Sequence, residues 1–136
     1  MRLTSRYRFS ASHRLDTPAL TPEENRELYG KCNNPHGHGH DYVLDITVEG
    51  AVDAHGQVVN REAMDALVRK RVLGRLDHKN LNADVPELAG SVTTTENLAK
   101  LVRGALAEGW TLPARLARVR ISETARNTFE LEVPQG

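Results

Sequence analysis

The first strand-like pattern lies at the start of the chain, where RLTSRYRFSASH covers residues 2–13. Apolar positions alternate there with arginine, serine and threonine. The residues on the apolar side of this alternation are Leu3, Tyr7, Phe9, Ala11 and His13. A period of two with one apolar face predicts a β-strand that turns this face toward a core. His13 lies on the apolar side, at the end of the predicted strand.

A second alternating segment begins near residue 38. The residues at alternate positions are His38, His40, Tyr42, Leu44, Ile46 and Val48, and the residues between them are mostly polar. The pattern predicts a strand that begins with two histidines on its inward face, because residues i and i+2 of a strand share a face. Residues 15–37, between the two strands, are rich in Pro, Asn, Gly and charge, which indicates a long loop with a short helix at 22–29.

Two amphipathic segments predict helices in the second half of the chain. Asn60 can cap a helix over 61–76, whose apolar residues recur at helical spacing. The run Thr93–Glu96 matches a capping box, with Glu96 as its third-position partner. The helix that follows this box is predicted to end at Gly109.

Alternation returns near the end of the chain and completes the predicted fold. A connecting loop covers 77–92, and strands are predicted over 115–123 and 127–133. The order strand, strand, helix, helix, strand, strand predicts an α+β fold, with two helices packed on one face of an antiparallel sheet. The length suits a single domain over 1–136.

Composition and charge exclude several classes of function. The 18 basic and 18 acidic residues balance, so the basic surplus of a typical nucleic-acid-binding protein is missing. RKR at 69–71 and RLARVR at 115–120 are interpreted as solvated faces of a helix and a strand. We expect neither a membrane span nor a signal peptide. One cysteine allows no internal disulfide, which is consistent with a reducing cytoplasm.

The segment CNNPHGHGHDY, residues 32–42, gathers the only cysteine and three of the six histidines. His38 and His40 share a strand face and can reach one metal ion, and His13 can supply a third imidazole from the first strand. Three imidazoles suit zinc and leave one coordination position open, as in catalytic zinc sites. Three alternatives stay open: a turn with incidental histidines, a structural zinc with Cys32 as fourth ligand, and a ligand pair formed by His36 and His38.

Carboxylates and one further histidine are candidates for acid–base chemistry. Glu123 shares the apolar parity of its strand, so it is either buried and paired with a guanidine-like ligand or, if the strand ends before it, exposed to water. Asp77 precedes His78 directly and can orient its imidazole for proton transfer. The alternative for His78 is a favourable position near a helix C-terminus.

Taken together, these segments resemble the 6-pyruvoyl-tetrahydropterin synthase family, which also includes the 6-carboxy-tetrahydropterin synthases. The matching segments run in the family's order over nearly the whole chain: FSASHRL at 9–15, GKCNNPHGHGHDY at 30–42, LDHKNLN at 76–82, DVP at 84–86, TTEN at 94–97 and SET at 122–124. The resemblance implies the tunnelling fold, in which subunits usually form a homo-hexamer of two trimers with active sites at the subunit interfaces.

The resemblance also implies a role for each matching residue. His13, His38 and His40 match the three zinc ligands, and Cys32 matches the catalytic thiol. Asp77 and His78 match the pair that acts with this thiol. Glu123 matches the acid that anchors the pterin ring and is grouped with the catalytic residues, while Thr95 and Glu96 match a segment that lines the pterin pocket.

The activity implied is conversion of 7,8-dihydroneopterin triphosphate to 6-pyruvoyl-tetrahydropterin, with elimination of triphosphate, by a zinc-dependent lyase of tetrahydrobiopterin biosynthesis. The 6-carboxy-tetrahydropterin synthases of queuosine biosynthesis are the closest alternative, since they release acetaldehyde as well from the same substrate. They typically show C-x3-H-x-H where the pyruvoyl type shows C-x5-H-x-H, and HGHGH satisfies both because of His36. A non-catalytic pterin- or zinc-binding module is the alternative outside enzymes.

Overall fold

The computed structural model describes residues 1–135, and its framework is one five-stranded sheet. The strands are β1 (Arg2–His13), β2 (His38–Glu49), β3 (Lys79–Asn80), β4 (Arg115–Thr124) and β5 (Asn127–Glu132). Their order in the sheet is β3-β1-β2-β4-β5. The four long strands pair antiparallel, as predicted, and the two-residue β3 pairs in parallel with β1 inside the loop predicted over 77–92.

Within residues 1–135, four α-helices accompany the sheet: α1 (Pro22–Tyr29), α2 (Arg61–Val68), α3 (Gly74–Leu76) and α4 (Thr95–Glu108). The helix predicted over 61–76 has the predicted extent, but a π-helical turn at Arg69–Leu73 joins α2 to α3. The short helix predicted at 22–29 is α1, and short 3₁₀ turns occupy Gly30–Asn33 and Pro86–Leu88. None of the helices in the described part of the chain is long and apolar enough to cross a membrane.

The predicted capping box before α4 is wrong by one residue. Thr94 is the N-cap, and its side chain accepts a hydrogen bond from the backbone N–H of Asn97. Glu96 is therefore one position short of a third-position partner, and it is exposed. Thr93 is held elsewhere, because it is buried and its carbonyl contacts a histidine of β1. A complete capping box occurs instead at α1, where the side chains and backbone of Thr21 and Glu24 satisfy one another.

One face of the sheet packs against α2 and α4 and forms the core. Its fully buried residues include Leu44, Ile46, Met64, Val68, Leu98 and Leu106. The opposite face is polar and is organised by cross-strand pairs. There the guanidinium of Arg6 donates two hydrogen bonds to Asp45, at 2.9 and 3.1 Å. The sheet thus separates an apolar face from a charged one, and the predicted metal ligands lie at the end of the apolar face.

Candidate metal centre and active site

The pairing of β1 with β2 brings the histidines of both strands together. His13 is directly opposite His38, and Ala11 is opposite His40. All three histidines share the inward parity, so their rings cluster where the core ends. The ring centroid of His40 lies 5.0 Å from that of His13 and 4.6 Å from that of His38. The alternation of inward and outward residues in the two strands therefore brings the three histidines together, as the sequence predicts.

Glu123 joins this cluster from β4. The strand continues to Thr124, so Glu123 remains on the inward face and its side chain is only 9% exposed. Its Oε1 lies 3.2 Å from Nε2 of His13 and 3.0 Å from Nε2 of His40. The alternative in which the strand ends earlier and Glu123 points to water does not occur.

The hydrogen bond of His13 defines which ring nitrogen faces the cluster. Its Nδ1 lies 2.9 Å from the carbonyl oxygen of Thr93, and a carbonyl can only accept, so Nδ1 carries the proton. In the neutral ring, Nε2 then presents a lone pair to the carboxylate of Glu123. Both Nε2 of His13 and Oε1 of Glu123 are buried without a hydrogen-bond partner. Two opposed lone pairs at this distance are unfavourable unless a metal ion or a proton lies between them.

Cys32 approaches the same point from the 3₁₀ turn at Gly30–Asn33. Its Sγ lies 3.9 Å from Nε2 of His40. The turn is fixed to the end of β1, because the backbone N–H of Leu15 donates to the Cys32 carbonyl at 2.6 Å and the Asn33 amide donates to the Leu15 carbonyl at 2.7 Å. The thiol is therefore held in position by the backbone around it.

Four side chains converge closely enough to hold a metal ion: His13, Cys32, His40 and Glu123. Their ligand atoms all lie within 4.8 Å of one another. Imidazole nitrogen, thiolate sulfur and carboxylate oxygen are the ligand types that zinc accepts. The donor set, together with the two orphaned buried atoms, fits a bound cation. His38 is outside this group of four and stands beside His40, so its ligation remains a prediction.

Electrostatics within the cluster follow from burial and from the charge of Glu123. Contact with the His13 imidazole lowers the pKa of Glu123, and burial opposes this effect. Burial lowers the pKa of His40, which favours the neutral ring that binds metals. Burial also raises the pKa of the Cys32 thiol, and the nearby charge of Glu123 adds to the effect. A bound cation would act in the opposite direction on Cys32, since it favours the thiolate.

His36 does not share the position of the other histidines in its segment. It is exposed in a turn, where its backbone N–H donates to Oδ1 of Asn34 and the N–H of Gly37 donates to the Asn34 carbonyl. It lines a separate cavity with Arg14 and Asp16. The ligand pair formed by His36 and His38 is therefore not the arrangement of this structure, in which the strand pair lies beside the thiol.

Asp77 and His78 lie at another edge of the sheet, between α3 and β3. Asp77 Oδ1 accepts from the backbone N–H of Ser10 at 2.9 Å, and the His78 N–H donates to the Ser10 carbonyl at 2.6 Å. These bonds hold His78 at a φ of 59°, an uncommon conformation for a residue other than glycine. Its ring is 82% exposed and lies 3.7 Å from Asp77 Oδ2. Within residues 1–135, no hydrogen bond or ion pair joins His78 to Cys32 or Glu123.

The predicted pocket residues of α4 have different environments. Thr95 is buried and Glu96 is exposed, and both lie one turn or less beyond Thr93, whose carbonyl accepts the hydrogen bond from His13. Sequence reasoning missed two contributors to the site. The Asn127 amide donates to Oε2 of Glu123 at 2.6 Å, and the backbone of Thr93 sets the tautomer of His13. Neither contact has a signature in the sequence, because one uses a backbone atom and the other depends on a turn between β4 and β5.

Comparison with known proteins places this chain in a family. The family model described as 6-pyruvoyl tetrahydropterin synthase matches residues 2–134. The chain is 47% identical over 121 residues to the 6-pyruvoyl tetrahydrobiopterin synthase of Poecilia reticulata, covering 88% of this chain and 81% of that protein. It is 44% identical over 127 residues to the human protein of the same name, covering 92% and 86%.

A solved structure supports the same assignment at the level of the fold. The structure of Caenorhabditis elegans 6-pyruvoyl tetrahydropterin synthase superposes with a TM-score of 0.90 at 36% identity, covering 98% of this chain and 96% of that one. The predicted α+β tunnelling fold is thereby confirmed. From its sequence and its fold, the chain belongs to the 6-pyruvoyl tetrahydropterin synthase family.

Proposed function

We propose that this chain is a zinc-dependent 6-pyruvoyl-tetrahydropterin synthase. It acts as a lyase that converts 7,8-dihydroneopterin triphosphate to 6-pyruvoyl-tetrahydropterin and eliminates triphosphate. The observation that carries the proposal is the convergence of two imidazoles, a thiol and a carboxylate within 4.8 Å at the end of the apolar sheet face. Relatives that share 44–47% of their aligned residues carry the corresponding name, which supports the substrate and the product class.

The metal would be held by His13, His38 and His40, with Cys32 left free. Bound zinc would supply Lewis acidity toward the substrate's side-chain hydroxyls, making them more acidic and polarising the developing carbonyls. The Thr93 carbonyl supports this assignment, because it keeps the lone pair of His13 Nε2 directed into the site. Burial of His40 supports it as well, since a neutral ring is the form that binds metal.

Cys32 would act as the base that removes a carbon-bound proton from the substrate side chain. A thiolate is required for this step, and the pKa of Cys32 is raised in the metal-free chain by burial and by Glu123. The substrate side chain must enter between the thiol and the imidazoles, because Sγ lies only 3.9 Å from His40. The proton removed at one carbon is returned at the pterin ring. The ring is thus reduced as the side chain is oxidised, so no redox cofactor is needed.

Glu123 would anchor the pterin ring through its amino group and adjacent ring N–H. Such an edge offers two parallel donors, which match a carboxylate. The depressed pKa of Glu123 keeps it ionised and therefore an acceptor. Thr95 and Glu96, at the start of α4, would line the same pocket.

Asp77 and His78 would transfer protons with Cys32 across a subunit interface. Their exposure, together with the lack of any contact with Cys32 in the described chain, supports a site that a neighbouring copy completes. A homo-hexamer formed by two trimers is the assembly that the family resemblance implies. We place the enzyme in the cytoplasm, consistent with a single free cysteine.

The decisive experiment is anaerobic incubation of the zinc-loaded protein with 7,8-dihydroneopterin triphosphate, with products identified by mass spectrometry. The expected products are 6-pyruvoyl-tetrahydropterin and triphosphate, without acetaldehyde. A Cys32→Ala variant with the same zinc content should form no product. A carboxy-tetrahydropterin with acetaldehyde would assign the chain to the 6-carboxy-tetrahydropterin synthases. Bound pterin without turnover would support the non-catalytic module.

A further inference from the structure

A cavity of about 420 Å³ lies next to the metal cluster. It is separate from the proposed positions of the metal, the base and the pterin ring. Its lining consists of Arg26, Gly30, Lys31, Asn33, Asn34, Pro35 and His38. Two features connect it with the cluster. His38 forms part of its wall and stands 4.6 Å from His40. The 3₁₀ turn that carries Cys32 forms another part, so a ligand at the cluster can extend into this cavity.

The charge of the lining is positive. Arg26 and Lys31 are the basic residues of the lining, and no carboxylate lines the cavity. Neither side chain forms a salt bridge or a side-chain hydrogen bond among residues 1–135, whereas Arg2, Arg6 and Arg115 are all paired with carboxylates.

The acidic residues of α1 do not neutralise this positive charge, because none of them lines the cavity. The side chain of Glu24 is engaged in the capping box with Thr21. Glu23 and Glu27 are exposed and do not line the cavity. The Asn34 side chain adds a neutral amide to the lining, and its oxygen already accepts from the backbone N–H of His36, which leaves the amide N–H groups as donors.

We infer that this cavity binds the triphosphate chain of the substrate, an inference that rests on the proposed function. A planar guanidinium and a flexible ammonium are the two side chains that bind phosphate oxygens best. The cavity begins where the cluster ends, so the reacting side-chain carbons would lie beside Cys32 and the imidazoles while the phosphates lie beyond His38. The leaving group would then be held in place during the elimination that releases it.

The test compares two ligands that differ only in the phosphates. Binding of 7,8-dihydroneopterin triphosphate and of 7,8-dihydroneopterin is measured by calorimetry on zinc-loaded Cys32→Ser protein, which does not consume either ligand. The variant Arg26→Gln/Lys31→Gln is made in this background. We expect about tenfold weaker binding of the triphosphate, which corresponds to roughly threefold for each of the two partly exposed charges, and unchanged binding of dihydroneopterin. Added salt should weaken the triphosphate preference of the parent and have less effect on the variant.

A matched control removes two cations elsewhere. Lys100→Gln/Arg103→Gln changes two exposed residues of α4 that line none of the cavities described above, and it should bind both ligands as the parent does. Equal triphosphate affinity in Arg26→Gln/Lys31→Gln and the parent would overturn the subsite while leaving the proposed activity intact. The subsite would also be overturned if Arg26→Gln/Lys31→Gln lost equal affinity for both ligands, or if the control lost as much triphosphate affinity as that variant. Failure of the parent to bind either pterin would overturn the proposed function itself.

Discussion

Asn127→Ala tests whether the orientation of Glu123 matters for activity. Asn127 is exposed and begins β5, where its amide donates to Oε2 of Glu123 at 2.6 Å. The other oxygen, Oε1, faces His13 and His40 at 3.2 and 3.0 Å. Removal of the amide leaves the carboxylate free to rotate away from the position in which both oxygens have defined neighbours. Asn127 is therefore a positioning residue, and its loss should reduce activity without abolishing it.

The magnitude follows from the kind of hydrogen bond that is lost. A hydrogen bond to a charged group contributes about 1.5–3 kcal/mol when buried, and the exposure of Asn127 reduces this to about 1 kcal/mol. One kcal/mol corresponds to roughly a fivefold change in an equilibrium or rate constant. We therefore expect kcat/KM for 7,8-dihydroneopterin triphosphate to fall about fivefold. The loss should appear mainly in KM if Glu123 anchors the pterin in both the ground state and the transition state.

The assay is steady-state turnover of zinc-loaded variants with equal metal content. Thr128→Ala is the matched control, because Thr128 lies in the same strand and loses one side-chain hydrogen bond, to Ser122 at 2.9 Å, without touching Glu123. Its activity should equal that of the parent. Unchanged kinetics in Asn127→Ala, or equal losses in both variants, would show that this amide does not orient Glu123 for activity.

Three further predictions concern stability. Hydrogen bonds from Arg2 and two other donors lower the pKa of Glu49 to about 2, so the stabilisation is present above the unfolded-state pKa of about 4.3 and is lost as the pH falls through about 2. Thermal melts of Glu49→Gln should depend less on pH in this range than those of the parent, and parallel curves would contradict the prediction. Thr94→Ala should lower the free energy of unfolding by about 1 kcal/mol, as loss of an N-cap does. Glu96→Gln should leave urea denaturation unchanged. Equal losses in the two variants would mean that Glu96 takes part in a capping box after all. Leu44→Ala empties a fully buried position and should cost about 2–5 kcal/mol in the same assay, and a loss below 1 kcal/mol would mean that the core around it collapses to fill the space.

The sheet and the cluster at its end could be predicted from the sequence because both depend on a period of two. Once 2–13 and the residues from 38 onward are taken as strands with one buried face, His13, His38 and His40 must point to the same side. The inward position of Glu123 follows from the same rule, and the sequence left it open only because the end of β4 could not be located. A β-bulge between Ser122 and Thr124 lies at that point.

Other features could not be predicted because they depend on contacts distant in the sequence. The helix start at Thr94 is selected by the burial of Thr93 and its contact with His13, 80 residues away in the sequence. The strand β3 is two residues long and exists because its backbone lies beside Ala11 and Ser12 of β1. The role proposed for Asp77 and His78 depends on a neighbouring subunit, which a pattern within one chain does not locate.

The coordination of the bound metal, measured by X-ray absorption at the zinc edge of the loaded protein, tests the proposed role of Cys32. Cys32 must remain free of the metal to act as the base, although its sulfur lies among the four converging groups. The spectrum should therefore show only nitrogen and oxygen neighbours, at about 2.0–2.1 Å for imidazole. A sulfur neighbour at about 2.3 Å would show Cys32 to be a ligand. The site would then be a closed structural centre, and the proposed role of the thiol would be wrong.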